Sequence, residues 1–207
     1  MNGEIKKYSK NSIFINDRNN KEKEYISFKN ELFSPPKVGF VTLSQKAEHY
    51  VAGGLEGGKE AYPIERSELL HKEAINFLKK ITNFKILFNK EVAWTPENTL
   101  IHANELESKG AEVIIFMVGG WVFANQIIWA VKNIKIPFCL WANTDKESFA
   151  FVGSIVTHGA LDNFGVKHEY FFGSHNDKTL ISEISRFINS AVATVRLKNQ
   201  TMINIGG

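Results

Sequence analysis

The chain has 207 residues, 43% of them hydrophobic and 12% aromatic, enough for one good core and one small extra element. Its formal charge of +3 is local: residues 1–37 hold 8 Lys/Arg against 5 Asp/Glu, whereas 38–207 hold 17 of each. A neutral body without an Arg cluster argues against nucleic acid as partner, and no apolar stretch approaches the roughly 20 residues of a membrane-spanning helix.

In chain order, residues 11–28 offer two short apolar runs, 12–16 and 24–28, on either side of polar Asp17 to Lys23, the pattern of a small hairpin. Pro35-Pro36 stiffens a linker, which makes residues 1–37 an extension and 38–207 the main domain. From Val38 short apolar runs alternate with longer amphipathic ones. The runs 38–43, 84–88, 113–118, 136–141 and 168–172 are too short for helices and rich in β-branched and aromatic residues, without clean alternation. That pattern predicts parallel strands buried on both faces. Between them, Thr95-Pro96 gives a capping hydroxyl followed by proline, and Lys109-Gly110 a terminator, predicting a helix over 97–109. A helix is also expected over 148–164. In 178–198 the residues Leu180, Ile181, Ile184, Phe187, Ile188, Ala191, Val192 and Val195 form one helical stripe. Residues 201–205 return to strand character. The fold class is therefore α/β: a doubly wound, mostly parallel sheet in a flavodoxin- or Rossmann-like three-layer sandwich, with a short N-terminal extension.

The single cysteine, Cys139, lies in an apolar run and reads as a core residue, in keeping with a reducing cytoplasm. No secretory leader opens the chain, so a soluble cytoplasmic protein is expected.

In open parallel sheets ligands bind beyond the carboxyl ends of the strands. This selects Ser44-Gln45-Lys46, Gly119-Gly120-Trp121, Ala142-Asn143-Thr144-Asp145 and Gly173-Ser174-His175. Amides, hydroxyls and an indole suit a neutral polyol better than a phosphate. Asn143, Thr144 and Ser174 are equally the residue types that cap helices. Among rival motifs, Gly53-Gly54-Leu55-Glu56-Gly57-Gly58-Lys59-Glu60 has phosphate-loop spacing up to the lysine, but Glu60 stands where a magnesium-binding hydroxyl belongs, and Gly53 lies ten residues beyond Leu43. A glycine-rich surface loop or lid is the better account. Gly153-Ser154 lacks the second glycine of a nucleophile elbow. None of the histidines at 49, 71, 102, 158, 168 and 175 pairs at ligand spacing with another His, Cys or carboxylate, so no metal site is expected. His71 is placed on the solvent side of a surface helix.

The segments Ala111-Glu-Val-Ile-Ile-Phe-Met-Val-Gly-Gly-Trp-Val-Phe, Ile136-Pro-Phe-Cys-Leu-Trp-Ala-Asn-Thr-Asp and Val156-Thr-His-Gly-Ala-Leu resemble the amino-terminal part of the L-fucose/L-arabinose isomerase superfamily. The resemblance reaches more weakly to Ser44-Gln45 and to Ile203-Asn-Ile-Gly-Gly. It implies aldose–ketose interconversion through an enediol, assisted by a divalent metal, usually manganese, held by two carboxylates and a histidine. Those ligands belong downstream of this segment, so the resemblance implies no catalytic or metal residue here. It implies instead a share of a sugar pocket, contributed across a subunit interface of a homo-oligomer or to a catalytic partner chain. Gln45 would bond a hydroxyl, Trp121 would cover the ring carbons, and His158 would line the rim. Lys46 and Ala47 depart from the arabinose isomerase loop, so the sugar itself is not implied. A stand-alone carbohydrate-binding or regulatory module is the alternative, and a flavodoxin-like nucleotide or flavin protein a weaker third.

Overall fold

Strand β3 (Lys37–Leu43) is buried at every position after Lys37, and β5 (Val113–Val118) and β6 (Phe138–Ala142) are buried throughout. With edge strands β4 (Lys85–Phe88) and β7 (Glu169–Phe172) they form a five-stranded, all-parallel sheet in the order β4-β3-β5-β6-β7. The computed structural model describes residues 5–7, 13–15, 33–46, 64–146, 148–198 and 200, and the chain divides into Met1–Pro35 and Pro36–Gly207. The glycine-rich stretch 53–60 and the strand-like residues 201–205 lie outside the described residues.

Five helices connect and cover the sheet: α1 (Ile64–Ile81), α2 (Pro96–Ser108), α3 (Asn125–Asn133), α4 (Ala150–Asn163) and α5 (Lys178–Lys198). Because strand side chains alternate between faces, each strand feeds two cores. Val38, Phe40, Val113, Ile115, Met117, Cys139 and Trp141 pack under α1 and α5. Val41, Leu43, Ile114, Phe116, Val118, Phe138 and Leu140 pack under α2, α3 and α4. The expected three-layer, doubly wound sandwich is the observed one, in flavodoxin-like order. Among the described residues no helix is long and apolar enough to cross a membrane.

Local chemistry sets the boundaries. Thr95 Oγ1 accepts from the Asn98 amide at 3.1 Å and Pro96 opens α2, while Gly110, at φ +85°, closes it in a Schellman turn. The fourth sheet strand starts at Phe138 instead of Ile136, since Pro137 has no N–H for the ladder and contributes only its carbonyl to Ile114. In the first unit, β1 (Ile5–Lys7) pairs antiparallel with β2 (Ile13–Ile15). The run expected at 12–16 is therefore a strand at 13–15, and its partner among the described residues lies upstream, at 5–7. Residues 24–28 lie outside the described ones.

His71 is also corrected. It is 3% exposed beneath the sheet, with Nδ1 2.8 Å from Thr42 Oγ1 and Nε2 3.0 Å from the Asn89 carbonyl. The carbonyl requires Nε2–H to donate, so Nδ1 accepts from Thr42. Burial, more than any other influence, depresses its pKa below 6.5. At the far side of the same layer, Arg196 Nε and Nη2 donate to the two Glu112 oxygens at 2.6 and 2.9 Å, and the Lys37 amide adds a third bond at 2.9 Å. Burial pushes the Glu112 carboxyl up, but these bonds outweigh it and hold the group below its usual range. The last turns of α5 are pinned to the sheet by this pair.

Two glycines of α4 should respond oppositely to alanine. A Cβ on Gly153 would lie 2.7 Å from the Val122 amide nitrogen, whereas one on Gly159 meets nothing within 4 Å. Gly159→Ala is expected to stabilise by about 0.5–1 kcal/mol, and Gly153→Ala to destabilise by about 1–3 kcal/mol, read as urea midpoints. A second expectation concerns pH. A histidine whose folded pKa is depressed gives stability that is present above its unfolded value of 6.5 and lost as pH falls below it. Unfolding free energy should fall from pH 7.5 to 5.5, His102 contributing in the same direction through its own burial. His71→Gln should flatten that slope, and an unchanged slope would show that His71 is not its source.

Candidate functional site

The chain leaves β3 toward β4 on one side and returns to β5 on the other, so the switch point of the sheet lies between β3 and β5. Loops diverging from such a point leave a crevice at the carboxyl ends of the strands. Here the residues are Ser44, Gln45 and Lys46 after β3 and Gly119, Gly120 and Trp121 after β5.

Hydrogen bonds lock the two loops together. Ser44 Oγ lies 2.9 Å from Ser67 Oγ on α1, and Ser67 donates to the Gly119 carbonyl at 3.4 Å. Gln126, on α3 and fully buried, donates through Nε2 to the carbonyls of Ser44 (3.0 Å) and Ala93 (2.7 Å). The approach is so close that a Cβ on Gly120 would overlap Ser44 Oγ, so glycine is a steric requirement. Gln45 is 7% exposed, and its Oε1 is buried without a hydrogen-bond partner among the described residues; so is Gln126 Oε1. A buried amide oxygen without a donor costs about 1–3 kcal/mol, which a ligand hydroxyl would recover. Trp121 is half-buried and stands edge-on to Phe123, ring centroids 5.7 Å apart. Its backbone abuts the position of Gly153 on α4.

Two kinds of charge stand at this crest: Lys46, whose ammonium lies 5.8 Å from the centre of the Trp94 ring, and an ion pair. Arg66, in the first turn of α1, donates through Nε to Asp145 Oδ2 at 3.0 Å and through Nη2 to Oδ1. The aspartate is positioned by its own amide, which donates to Asn143 Oδ1 at 3.0 Å. Asn143 therefore makes a turn within its loop and is not the cap of α4. The cap of α5 is Asp177, whose Oδ1 accepts from the Thr179 and Leu180 amides, and not Ser174. On the last loop His175 approaches Glu73 at 3.5 Å.

Of the residues singled out in the sequence, Gln45 and Trp121 lie on the two interlocked loops. His158 belongs elsewhere. It sits on α4 five residues beyond Gly153, about 7.5 Å along the axis and some 140° around it, where its ring stacks on Tyr170 (4.4 Å, 6°) and its Nδ1 lies 2.8 Å from His168 Nε2. The expectation that no histidine has a ligand-spaced partner is corrected there: Asp162 follows His158 by one helical turn, with Oδ2 3.5 Å from His158 Nε2. Arg66, Ser67 and Gln126 give no sequence signal, since each acts across a long separation. The chain matches no family model and no curated protein.

The Arg66–Asp145 contact is two-pronged and mostly buried, with side-chain exposures of 25% and 10%. A double-mutant cycle of Arg66→Met and Asp145→Asn, measured by urea unfolding, is expected to give a coupling of about 1–3 kcal/mol. A coupling near zero, as for exposed pairs, would mean that the pair does not order the crest.

Proposed function

We propose that the α/β unit is a sugar-contacting domain of the L-fucose/L-arabinose isomerase type, holding the substrate at the β3–β5 crevice. The observation that carries this reading is the buried Gln45 Oε1, an acceptor without a donor among the described residues, on a loop interlocked with the one bearing Trp121. A sugar presents both complements, hydroxyl donors around its edge and a face of C–H groups that lies against an aromatic ring. Arg66 is engaged by Asp145, so its positive charge is largely neutralised, while Lys46, next to Gln45, lies over the Trp94 ring. The same reading has this domain meet other subunits of a homo-oligomer or a catalytic partner chain. It is supported by the outer face of α4, where Phe151, Val152, Ile155 and Val156 are each close to half exposed.

The manganese implied by the resemblance requires two carboxylates and a histidine. Among the described residues, the group able to hold a metal, His158, Asp162 and His168, has the opposite make-up of two histidines and one carboxylate. It does not fit that ion's triad; in this reading Gln45 and Trp121 bind and orient substrate, and the proton transfer belongs to residues outside this unit. The stand-alone binding module differs from it in completing its pocket without a partner chain, so sugar affinity of the isolated chain well below about 1 mM would favour the module.

Calorimetry of the chain with L-fucose, L-arabinose and their alditols tests the assignment. Saturable binding near 1 mM, roughly −4 kcal/mol, is expected, weakened at least tenfold in Gln45→Leu and Trp121→Ala. With Mn2+ and either aldose the chain alone should form no ketose. Ketose formation would overturn the division of labour, and binding indifferent to both substitutions would overturn the site.

A further inference from the structure

At the other end of α4 the geometry points to a binding site for a borderline divalent transition metal such as Zn2+, Co2+ or Ni2+, formed by His158, Asp162 and His168. The helix ends in a Schellman turn: the Gly165 amide bonds the Asp162 carbonyl at 2.9 Å, the Val166 amide bonds the Leu161 carbonyl at 3.0 Å, and Gly165 takes φ +65°. This reversal brings His168, just before β7, back beside the last turns of α4, where His158 and Asp162 stand at positions i and i+4. One ligand atom from each of the three lies within 4.8 Å of the other two.

His168 is already oriented as a metal ligand is, and His158 turns Nδ1 toward it; Asp162 Oδ2 stands 3.5 Å from the other ring nitrogen of His158, Nε2, and would swing on its exposed side chain to reach the same ion. His168 Nδ1 is 2.8 Å from the Val166 carbonyl, an acceptor, so Nδ1 carries the hydrogen and the neutral ring turns the Nε2 lone pair toward His158. That carbonyl contact is the outer support that fixes tautomer and ring plane in metal-binding histidines. The His168 ring also stacks on Phe138 (5.9 Å, 6°). His158 stacks on Tyr170, whose hydroxyl is held 3.0 Å from Ser154 Oγ. Two lone pairs cannot face each other at 2.8 Å, so the His158 Nδ1 to His168 Nε2 contact holds a proton. A metal would replace that proton, opening the nitrogens to about 3.3 Å, as two bonds of about 2.0–2.1 Å at a tetrahedral angle require.

The donor set selects the ion. Two imidazoles and one carboxylate suit Zn2+, Co2+ and Ni2+, whereas Mg2+ and Ca2+ take oxygen ligands. Asp162 is 62% exposed and His158 35%, so solvent reaches the site and the remaining coordination positions fall to water. The bound ion would clamp the end of α4 to the start of edge strand β7. This inference is independent of the sugar reading, because the cluster shares no residue with the β3–β5 crevice.

Titration of the full chain with Co2+ alone at pH 7.5 is expected to give one saturable visible spectrum per chain at micromolar metal, bleached by one equivalent of Zn2+. Zn2+ should raise the thermal midpoint. His158→Gln and His168→Gln should each weaken binding at least tenfold, with the metal-free circular dichroism spectrum checking the fold. Should either fail to fold, exposed Asp162→Asn still decides, with an expected weakening of severalfold. Full-strength binding in Asp162→Asn and in either folded histidine variant, loss of binding in His49→Gln instead, or no saturation below 1 mM Co2+ would each overturn the assignment.

Discussion

Burial of the central strands on both faces is the constraint on which the rest of this structure depends. β3, β5 and β6 have helices above and below, so every side chain they carry after Lys37 must be apolar or locally satisfied. Polar function is thereby displaced to strand ends. Thr42 shows how strict this is: as a buried hydroxyl on β3 it is accommodated by a buried histidine, which is in turn tied to the Asn89 carbonyl. Two residues further on, Ser44 leaves the ladder and the hydrogen-bonded crest begins. At the switch point the geometry of the sheet, and not any single motif, brings the β3 and β5 loops side by side.

That division also explains which parts of the molecule were legible in the sequence. Elements specified by local rules were read closely: the continuous apolar run 113–118, the helical stripe 178–198, and the cap and terminator around α2. Errors arise where a distant partner decides. His71 stands among polar neighbours and looks solvated, yet Thr42 and Asn89 draw it under the sheet. At the crest, Gln45 and Trp121 could be selected by the strand-end rule, but Arg66, Ser67 and Gln126 could not, since their partners lie 79, 52 and 82 residues away. The His158 and Asp162 spacing was readable in principle; its significance depends on His168, which is brought beside the helix only by the Gly165 reversal.

The two polar clusters are chemically distinct because their elements are. The crest is built of amides, hydroxyls and a neutralised ion pair on loops that approach closely enough to require glycine at 120. The cluster at the end of α4 is built of imidazoles clamped by aromatic stacking and a backbone carbonyl. One offers acceptors to a hydroxylated ligand; the other offers lone pairs to a borderline cation. Neither set of groups would serve the other purpose.

Helix α4 joins these regions, and its sequence carries three conflicting demands. Its inner side uses small residues, with Gly153 against the Val122 backbone and Ser154 and Thr157 buried, so the helix lies close to the β5 loop that bears Trp121. Its last two turns present His158 and Asp162. Its outer side remains apolar, an arrangement that a solvated surface helix does not adopt, since such helices place charge opposite their buried stripe. Polar residues placed at 151, 152, 155 and 156 would satisfy water at no cost to either cluster. Their absence is the feature of α4 that neither the crest nor the histidine cluster explains, and it is accounted for if this face meets another protein surface, as the subunit contact in the proposed function requires.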